Sequence, residues 1–478
     1  GLKAIVVQAT LAPSGSPPGA AMLRHLAAGL AAAPALGLWR PGPRGRREGR
    51  PAAGGACRCE ELPLPKEADV VVVGGGIAGV STALHLARAS RRVALLERQT
   101  CGSGATGLSC ATIAARGRGD GTDPKAALAA ATLDGLRALE AQGLPCGLVQ
   151  CGVLELARSE KELRWAEGVV AQQRLHGYDV ELLAPEEAER LEPALRASPI
   201  AGAIYERQGG YADPGTTMEA LVAAAAAAGA QLCEGCELLE AGLAGPRRWL
   251  LRTSQGEVAC DHVVLCAGAW AQEAGRMLGL ELPVAKVKAQ MFVAEAAAEG
   301  PALSHVIYGA SSHCYWEEQP TLDTALGVPN AVTHSARGER FCNHLYGRPA
   351  PEAGCVWFGG DRLPQGDAPD DFEVDGRAAE ENLRYVQQLL PALGLRRQGS
   401  QAWAGLLGPT MRGGPLVGEV LFLPGLWLCT GFGGSGFMQG PGAGEAVASW
   451  IAGGGGAFGA VRAAADPSPW AAPARRAP

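Results

Sequence analysis

The stretch DVVVVGGGIAGVSTALHLARASRRVALLE, Asp69 to Glu97, decides the fold. It opens on four valines, Val70 to Val73, a run too short and too β-branched for a helix, which predicts a buried parallel strand. Gly74, Gly76 and Gly79 follow as G-x-G-x-x-G. The first glycine allows a tight turn, the second lets a pyrophosphate approach the backbone, and the third lets a helix pack closely on the strand. That helix, Ile77 to about Ala89, offers the N–H groups of its first turn, Ile77 and Ala78 among them, and its positive dipole end to a phosphate. A second strand, Val93 to Leu96, ends on Glu97, with Arg98 next to it. The Glu97 carboxylate can accept from a ribose diol and repels a 2′-phosphate, which favours FAD or NAD. In a chain with 68 glycines the glycine pattern alone could be a flexible turn. Strand, glycines, helix, second strand and acid in this order within about 30 residues make it a dinucleotide site.

Working outward, 478 residues allow two to four domain-sized units, and 47% hydrophobic with 19% charged residues describes a globular protein. The net charge is −6, and without residues 1–61 the balance is 34 basic against 45 acidic, which excludes nucleic acid as an expected partner. The basic residues gather at the front. From Met22, read as the start, MLRHLAAGLAAAPALGLWRPGPRGRREGR is rich in Arg and Ala with Glu48 its only acid, the composition of an organellar transit peptide. The expected destination is the mitochondrial matrix or the matrix face of the inner membrane, with a plastid as the alternative. No integral membrane segment is expected, because Pro34 interrupts a short apolar run. Cys233-x2-Cys236 lacks a second pair at zinc spacing, so reduced thiols and no metal are expected.

Along the chain, Cys101 to Thr112 is a loop of small residues suited to lie against a cofactor. Helices are expected at Pro124 to Gln142, Lys161 to Gly177, Pro185 to Leu191 and from Pro214, and strands at Val149 to Leu156 and Val180 to Leu183. Glu257 to Cys266 reads as a strand pair running into Ala267, Gly268, Ala269 and Trp270, where the chain re-enters the cofactor domain. Leu282 to Val293 reads as a strand, 294–356 as irregular, 356–362 as a strand and Ala378 to Leu393 as a helix. Finally Leu426 to Thr430 leads through GFGGSGF into a helix from about Gln439 to Ile451, and 453–478 reads as disordered.

Four glycine-rich elements, at 74–79, 102–107, 267–269 and 431–436, each follow a strand. A dehydrogenase using only NAD has no need of the last two, whereas an FAD protein with an interrupted cofactor domain does. In this order VVVGGGIAGVSTALHLA, YADPGTTMEAL, VVLCAGAW, WAGLLGPT and TGFGGSGFMQGPGAGEAVA resemble the D-amino-acid oxidase-like family of FAD-dependent oxidoreductases, which includes sarcosine and dimethylglycine dehydrogenases and glycine oxidase. The resemblance covers roughly 68–455. ATGLSCATI, FGGDRLPQGDAPDDFEVD and TGFGGSGFMQGPGAG are most similar to a mitochondrial branch of the family implicated in respiratory complex I assembly, so intermediates of that complex are a possible partner.

The resemblance implies an α/β fold, a Rossmann-like FAD-binding domain interleaved with an α+β substrate domain built on an antiparallel sheet. The implied division is 1–61 upstream, 62–115, 206–275 and 401–455 for FAD, 116–205 and 276–400 for substrate, and 456–478 as a tail. Gly74, Gly76, Ile77, Ala78, Gly79, Glu97 and Arg98 would hold the ADP half. Ser103, Gly104, Ala105, Thr106 and Ser109 would lie along the pyrophosphate and ribityl chain, with Ala267, Gly268 and Trp270 lining the cofactor. Gly434, Ser435, Gly436 and Phe437 would sit at the pyrimidine side of the flavin. The implied reaction is oxidation of a small amine or amino acid at its α C–H, with His313 and Tyr315 lining the pocket. Leu108 and Ser109 stand where members with covalent flavin carry histidine, so non-covalent FAD is expected. Leu407 stands where amino-acid-using members place arginine after W-A-G-L. Arg412 and Arg348 are the candidates to bind a substrate carboxylate in its place, the plain alternative for each being a solvated loop arginine.

Overall fold

The computed structural model describes residues 63–114, 124–198, 200–310, 345–351, 354–365, 370–410, 414–454 and 458–473, with short strands between 322 and 342. The expected first strand, β1 (Val70–Val73), lies inside a six-stranded sheet, parallel to β2 (Val93–Glu97) on one side and to His262–Leu265 on the other. Gln231–Glu234 extends the sheet in parallel beyond β2, and Leu426–Thr430 extends it beyond His262–Leu265. Leu416–Glu419 closes that edge antiparallel. Side-chain alternation explains why the whole valine run is apolar. Val70 and Val72 pack with Leu95 and Val264 under a layer of helices, whereas Val71 and Val73 pack with Trp249, Leu251 and Val258 of a three-stranded meander. The two strands expected over Glu257 to Cys266 are present as Gly256–Cys260 and His262–Leu265, and the first of them forms that meander with Leu238–Gly245 and Arg248–Thr253, which the sequence reading did not include.

The helix layer is led by α1 (Ile77–Arg88) and by the helix Gly436–Ile451, which begins three residues earlier than its sequence suggested. The contact of the second helix with α1, and with the helix Pro124–Ala141, explains the sequence GPGAG. A Cβ at Gly444 would lie 2.6 Å from the Thr82 nitrogen, and one at Gly442 would lie 2.3 Å from the Leu128 carbonyl oxygen. Pro441, inside this helix, has no N–H to give to the Phe437 carbonyl, and hydroxyls of two neighbouring helices bond the backbone at this point. Ser81 Oγ donates to the Pro441 carbonyl at 2.9 Å, and the Gly442 N–H donates to Thr132 Oγ1 at 3.0 Å.

A second sheet has eight strands, in the order 396–407, 287–295, 355–364, 346–349, 306–309, 153–157, 202–206 and 180–183. All its pairs are antiparallel except Val306–Gly309 with Val153–Ala157. One face, with Leu154, Phe292 and Phe358, is covered by the helix Gly376–Leu389 through Leu383, Val386 and Leu389. The opposite face, with Met291, Val293 and Trp357, meets Cys110 of the small-residue loop.

Several sequence expectations are corrected here. Val306–Gly309 and Tyr346–Pro349, inside the stretch read as irregular, are interior strands of the second sheet. The strand expected from Val149 starts at Val153, and the one expected from Leu282 starts at Val287. The tail read as disordered carries the helix Gly459–Ala464 and a strand, Ala472–Pro473, that pairs with Leu280–Glu281. Buried Val461 and Ala465 anchor that segment, a role hidden by its Ala and Pro content. The leader of residues 1–61 lies outside the described residues. No described helix is long and apolar enough to cross a membrane.

Candidate cofactor and substrate site

Because β1, His262–Leu265 and Leu426–Thr430 run parallel, the loops that follow them emerge at one edge of the sheet, where open α/β sheets bind ligands. Gly74, at φ +110°, is pressed so close that a Cβ would lie 2.5 Å from the Cys266 carbonyl oxygen, and a Cβ on Gly79 would lie 1.9 Å from the Gly74 oxygen. The Gly75 and Gln99 N–H groups donate to the two carboxylate oxygens of Glu97, each at 2.8 Å, so that the acid holds the turn and keeps lone pairs for a further donor. The N-cap residue of α1, Gly76, has no side chain to cap the helix, and no acid lies in its first turn. The Ile77 N–H donates to Thr106 Oγ1 at 3.1 Å, which pins the small-residue loop to the helix and leaves the N–H groups of Ala78 and Gly79 to a ligand.

The loop itself is built from backbone bonds. Gly102 N–H donates to the Gly75 carbonyl at 2.9 Å, and both the N–H and the hydroxyl of Ser109 donate to Thr106 O. Ser103, Gly104 and Ala105 lie partly buried at its crest. Trp270, just after Ala267 and Gly268, faces Gly104 and carries the Arg98 guanidinium 4.2 Å above its ring. Its indole N–H donates to Asp370 Oδ2 at 2.7 Å, and Lys286 binds the other Asp370 oxygen at 2.8 Å as well as Glu273. Burial raises the Asp370 carboxyl, but the hydrogen bonds from Lys286 and Trp270 outweigh it and hold the group below its ordinary range. Arg98 and Trp270 were expected beside the cofactor, whereas their link to Glu273, Lys286 and Asp370, from segments distant in sequence, was not.

The loop after Leu426–Thr430 brings Gly434, Ser435, Gly436 and Phe437 to the same edge. Ser435 does not cap the helix with its side chain, and the first turn holds no acid. On either side, Thr430 Oγ1 and Gln439 Oε1 are buried without a hydrogen-bond partner. At Gly268, φ +55°, a Cβ would meet nothing within 4 Å. Two helix starts whose N-cap residues make no side-chain cap bond, orphaned polar atoms and open backbone at Gly268 fit a dinucleotide spanning the sheet edge.

On the far side of the loop lies the second sheet. Trp403 Nε1 donates to the Leu108 carbonyl at 2.8 Å, and a Cβ on Gly405 would lie 3.3 Å from Leu108 Cβ, so the strand carrying W-A-G-L packs directly on Leu108. Thr112 and Tyr308 share a hydroxyl–hydroxyl bond of 2.5 Å. Arg348 is enclosed at 1% exposure, so the solvated-arginine alternative does not hold for it. His313, Tyr315 and Arg412 lie outside the described residues. Cys233 and Cys236 are free and buried, and burial, helped by Cys236, pushes the Cys233 thiol up to about 11. Among the described residues no group of three or more His, Cys, Asp and Glu side chains is placed to hold a metal ion.

Comparison with known proteins agrees with this geometry. Mitochondrial sarcosine dehydrogenase from Mus musculus is 28% identical over 406 residues, covering 81% of this chain and 40% of its own length. Glycine oxidase from Geobacillus kaustophilus is 33% identical over 252 residues, covering 52% of this chain and 66% of the relative. The chain thus spans less than half the length of the sarcosine dehydrogenase it matches. The crystal structure of the Geobacillus kaustophilus glycine oxidase superposes with a TM-score of 0.68 at 26% identity, covering 87% of this chain and 100% of that one. L-proline dehydrogenase from P. horikoshii shares the fold with a TM-score of 0.68 at 24% identity, over 81% of this chain and 94% of that one. The family profile described as FAD dependent oxidoreductase (DAO) matches residues 69–450, from β1 to the end of the last glycine-led helix, and the chain belongs to that family.

Proposed function

We propose that the protein oxidises a small amine, an amino acid or N-methyl amino acid, at the carbon next to nitrogen. The observation that supports this most is the placement of the loop 101–113, with the dinucleotide turn on one side and the aromatic face of the second sheet on the other. Bound FAD supplies the oxidising chemistry, taking up hydrogen and an electron pair from the substrate. The chain's own residues bind and orient. Gly74 to Gly79 and Glu97 hold the ADP half, residues 103–109 and 267–270 flank the chain of the cofactor, and Gly434 to Phe437 present a helix start to the flavin, where it favours negative charge. Trp357, Trp403, Tyr346 and Met291 form the opposing wall and exclude water from the reacting carbon. Leu108 and Ser109 give no imidazole for attachment, so the FAD is held without a covalent bond.

Anaerobic mixing of the yellow protein with sarcosine, dimethylglycine, glycine, proline and D-amino acids tests the reading. At least one should bleach the visible flavin absorbance, and bleaching by none would overturn the proposal. Relatives named as mitochondrial, together with the Arg-rich segment after Met22, support a mitochondrial location. An assembly role with respiratory complex I is supported only by the similarity of residues 105–113, 358–375 and 430–444, and intact complex I on native gels of knockout cells would reject it.

A further inference from the structure

Trp270 and Arg98 meet across the dinucleotide turn, and the strand order shows how. β1 has His262–Leu265 on one side and β2 on the other, so the turn that follows β1 lies between the segments that follow its two neighbours. Trp270 comes after the first neighbour and Arg98 directly after the second, yet the Arg98 guanidinium carbon lies 4.2 Å from the centre of the Trp270 ring. Their contact therefore passes over the ground beyond Gly74 to Gly76. The small-residue loop stands on a third side, where a Cβ on Gly104 would lie 3.8 Å from Trp270 Cζ3.

The pair is fastened from the other sheet. Trp270 Nε1 donates to Asp370 Oδ2 at 2.7 Å, and Lys286 Nζ donates to Asp370 Oδ1 at 2.8 Å. Lys286 directly precedes the strand Val287–Glu295, and Asp370 follows the strand Cys355–Pro364 that pairs with it. Lys286 also binds Glu273, on the short helix that begins just after Trp270, so the Trp270 segment is held at two points. The Lys286 side chain is only 15% exposed, which makes its two ion pairs worth more than pairs on open surface. Arg98 and Asp370 are exposed, and Trp270 is half-buried outside the apolar core clusters, so these bonds break by rotation of surface side chains, without repacking the core.

We propose that Trp270 and Arg98, fastened by Asp370 and Lys286, form a clasp across the mouth of the dinucleotide turn, which FAD passes on entering and leaving, so that the clasp sets how fast FAD exchanges more than how tightly it binds. The inference rests on the FAD site and not on the substrate. A barrier in the path slows entry and exit alike, whereas a lost contact with the cofactor quickens exit alone. Uptake of FAD by the apoprotein is followed by quenching of flavin fluorescence, and release by its return when the loaded protein is diluted into a scavenging apoflavoprotein. Asp370→Ala, which unfastens both Trp270 and Lys286, should quicken uptake and release together by about tenfold or more, with Kd held within about threefold. Trp270→Phe keeps a ring beneath Arg98 but has no N–H for Asp370, and should quicken both rates to a smaller extent. Unchanged rates in Asp370→Ala overturn the proposal, as does faster release with unchanged uptake. Should Asp370→Ala fail to fold, Asp370→Asn, which keeps an acceptor for the indole but no charge for Lys286, decides it in the same way: a rise in both rates supports the clasp and any other result overturns it. If no amine bleaches the flavin, the oxidising reading falls, and the two rates still decide the role of the clasp.

Discussion

Replacing Gly79 by alanine should cost the protein its FAD, and the size of the effect follows from one distance. An alanine methyl would sit 1.9 Å from the Gly74 carbonyl oxygen, where contacts below 3.0 Å do not persist, so α1 must retreat by about 1.1 Å. It has little room to do so. A Cβ at Gly440 would lie 3.1 Å from Ile77 Cγ2 and 3.2 Å from Ala78 Cβ, and one at Gly444 2.6 Å from Thr82 N, so the backbone of the 436–451 helix lies close against the far side. Hydrogen bonds from the first turn to a phosphate, about 2.9 Å when made, would lengthen to about 4 Å and be lost. Two bonds to a charged group at about 1.5–3 kcal/mol each amount to roughly 3–6 kcal/mol, a hundredfold or greater loss of FAD affinity. Titration of the apoprotein with FAD, read by quenching of flavin fluorescence, measures it. Gly135→Ala is the control, because in the helix Pro124–Ala141 a Cβ at that position meets nothing within 4 Å. It should leave FAD affinity alone and stabilise the fold by about 0.5–1 kcal/mol. A Gly79→Ala protein that binds FAD within about threefold of the wild type would refute the close-packing argument.

Two further outcomes follow from buried polar groups. Thr132→Val keeps the shape but leaves the Gly442 N–H without its acceptor beside Pro441, and should cost about 1–3 kcal/mol in denaturant unfolding, most of it recovered by Thr132→Ser. His85 is held down to about 4 by burial and then by Arg88, below the 6.5 of the unfolded chain. The unfolded chain therefore binds more protons between those values, so stability should be flat above pH 6.5 and fall as the pH drops toward 4. Because the ring is only half-buried by surface area, the loss from pH 7 to pH 5 is taken as about 1 kcal/mol, and a His85→Gln variant should lack that slope in urea midpoints.

What could be read from the chain alone is what its local pattern determines. β1, α1 and β2 were legible because a strand's apolar run, three glycines at fixed offsets and a terminal acid lie within one short stretch. Their physical reasons, the 2.5 Å and 1.9 Å approaches at Gly74 and Gly79, act between residues near in sequence or at the next strand. The strands Val306–Gly309 and Tyr346–Pro349 were not legible. Each is four residues long, and their place inside the sheet comes from pairing with each other and, for Val306–Gly309, with Val153–Ala157, partners that no local window contains. The meander after Leu238 was missed for a related reason: it is exposed on one side, so Leu239, Leu243 and Leu250 break the alternation that would announce it.

The same distinction separates the two halves of the candidate site. A phosphate is met by backbone N–H groups, and the need for glycine at those positions marks the sequence directly. A substrate is met by side chains, whose meaning depends on what surrounds them. Arg348 in the sequence YGRP could as well be a solvated loop residue, and the difference lies in Trp357 across the strand pair, Tyr211 more than a hundred residues earlier and the Cys110 carbonyl. Leu407 carries complementary information, since it ends the W-A-G-L strand on an apolar side chain where the resemblance implies an arginine. Among the described residues no carboxylate pairs with Arg348, and what does meet it, the Cys110 carbonyl and the Tyr211 and Trp357 rings, comes from segments that only the folded sheet brings together, which is why no local reading of YGRP could separate an enclosed arginine from a solvated one.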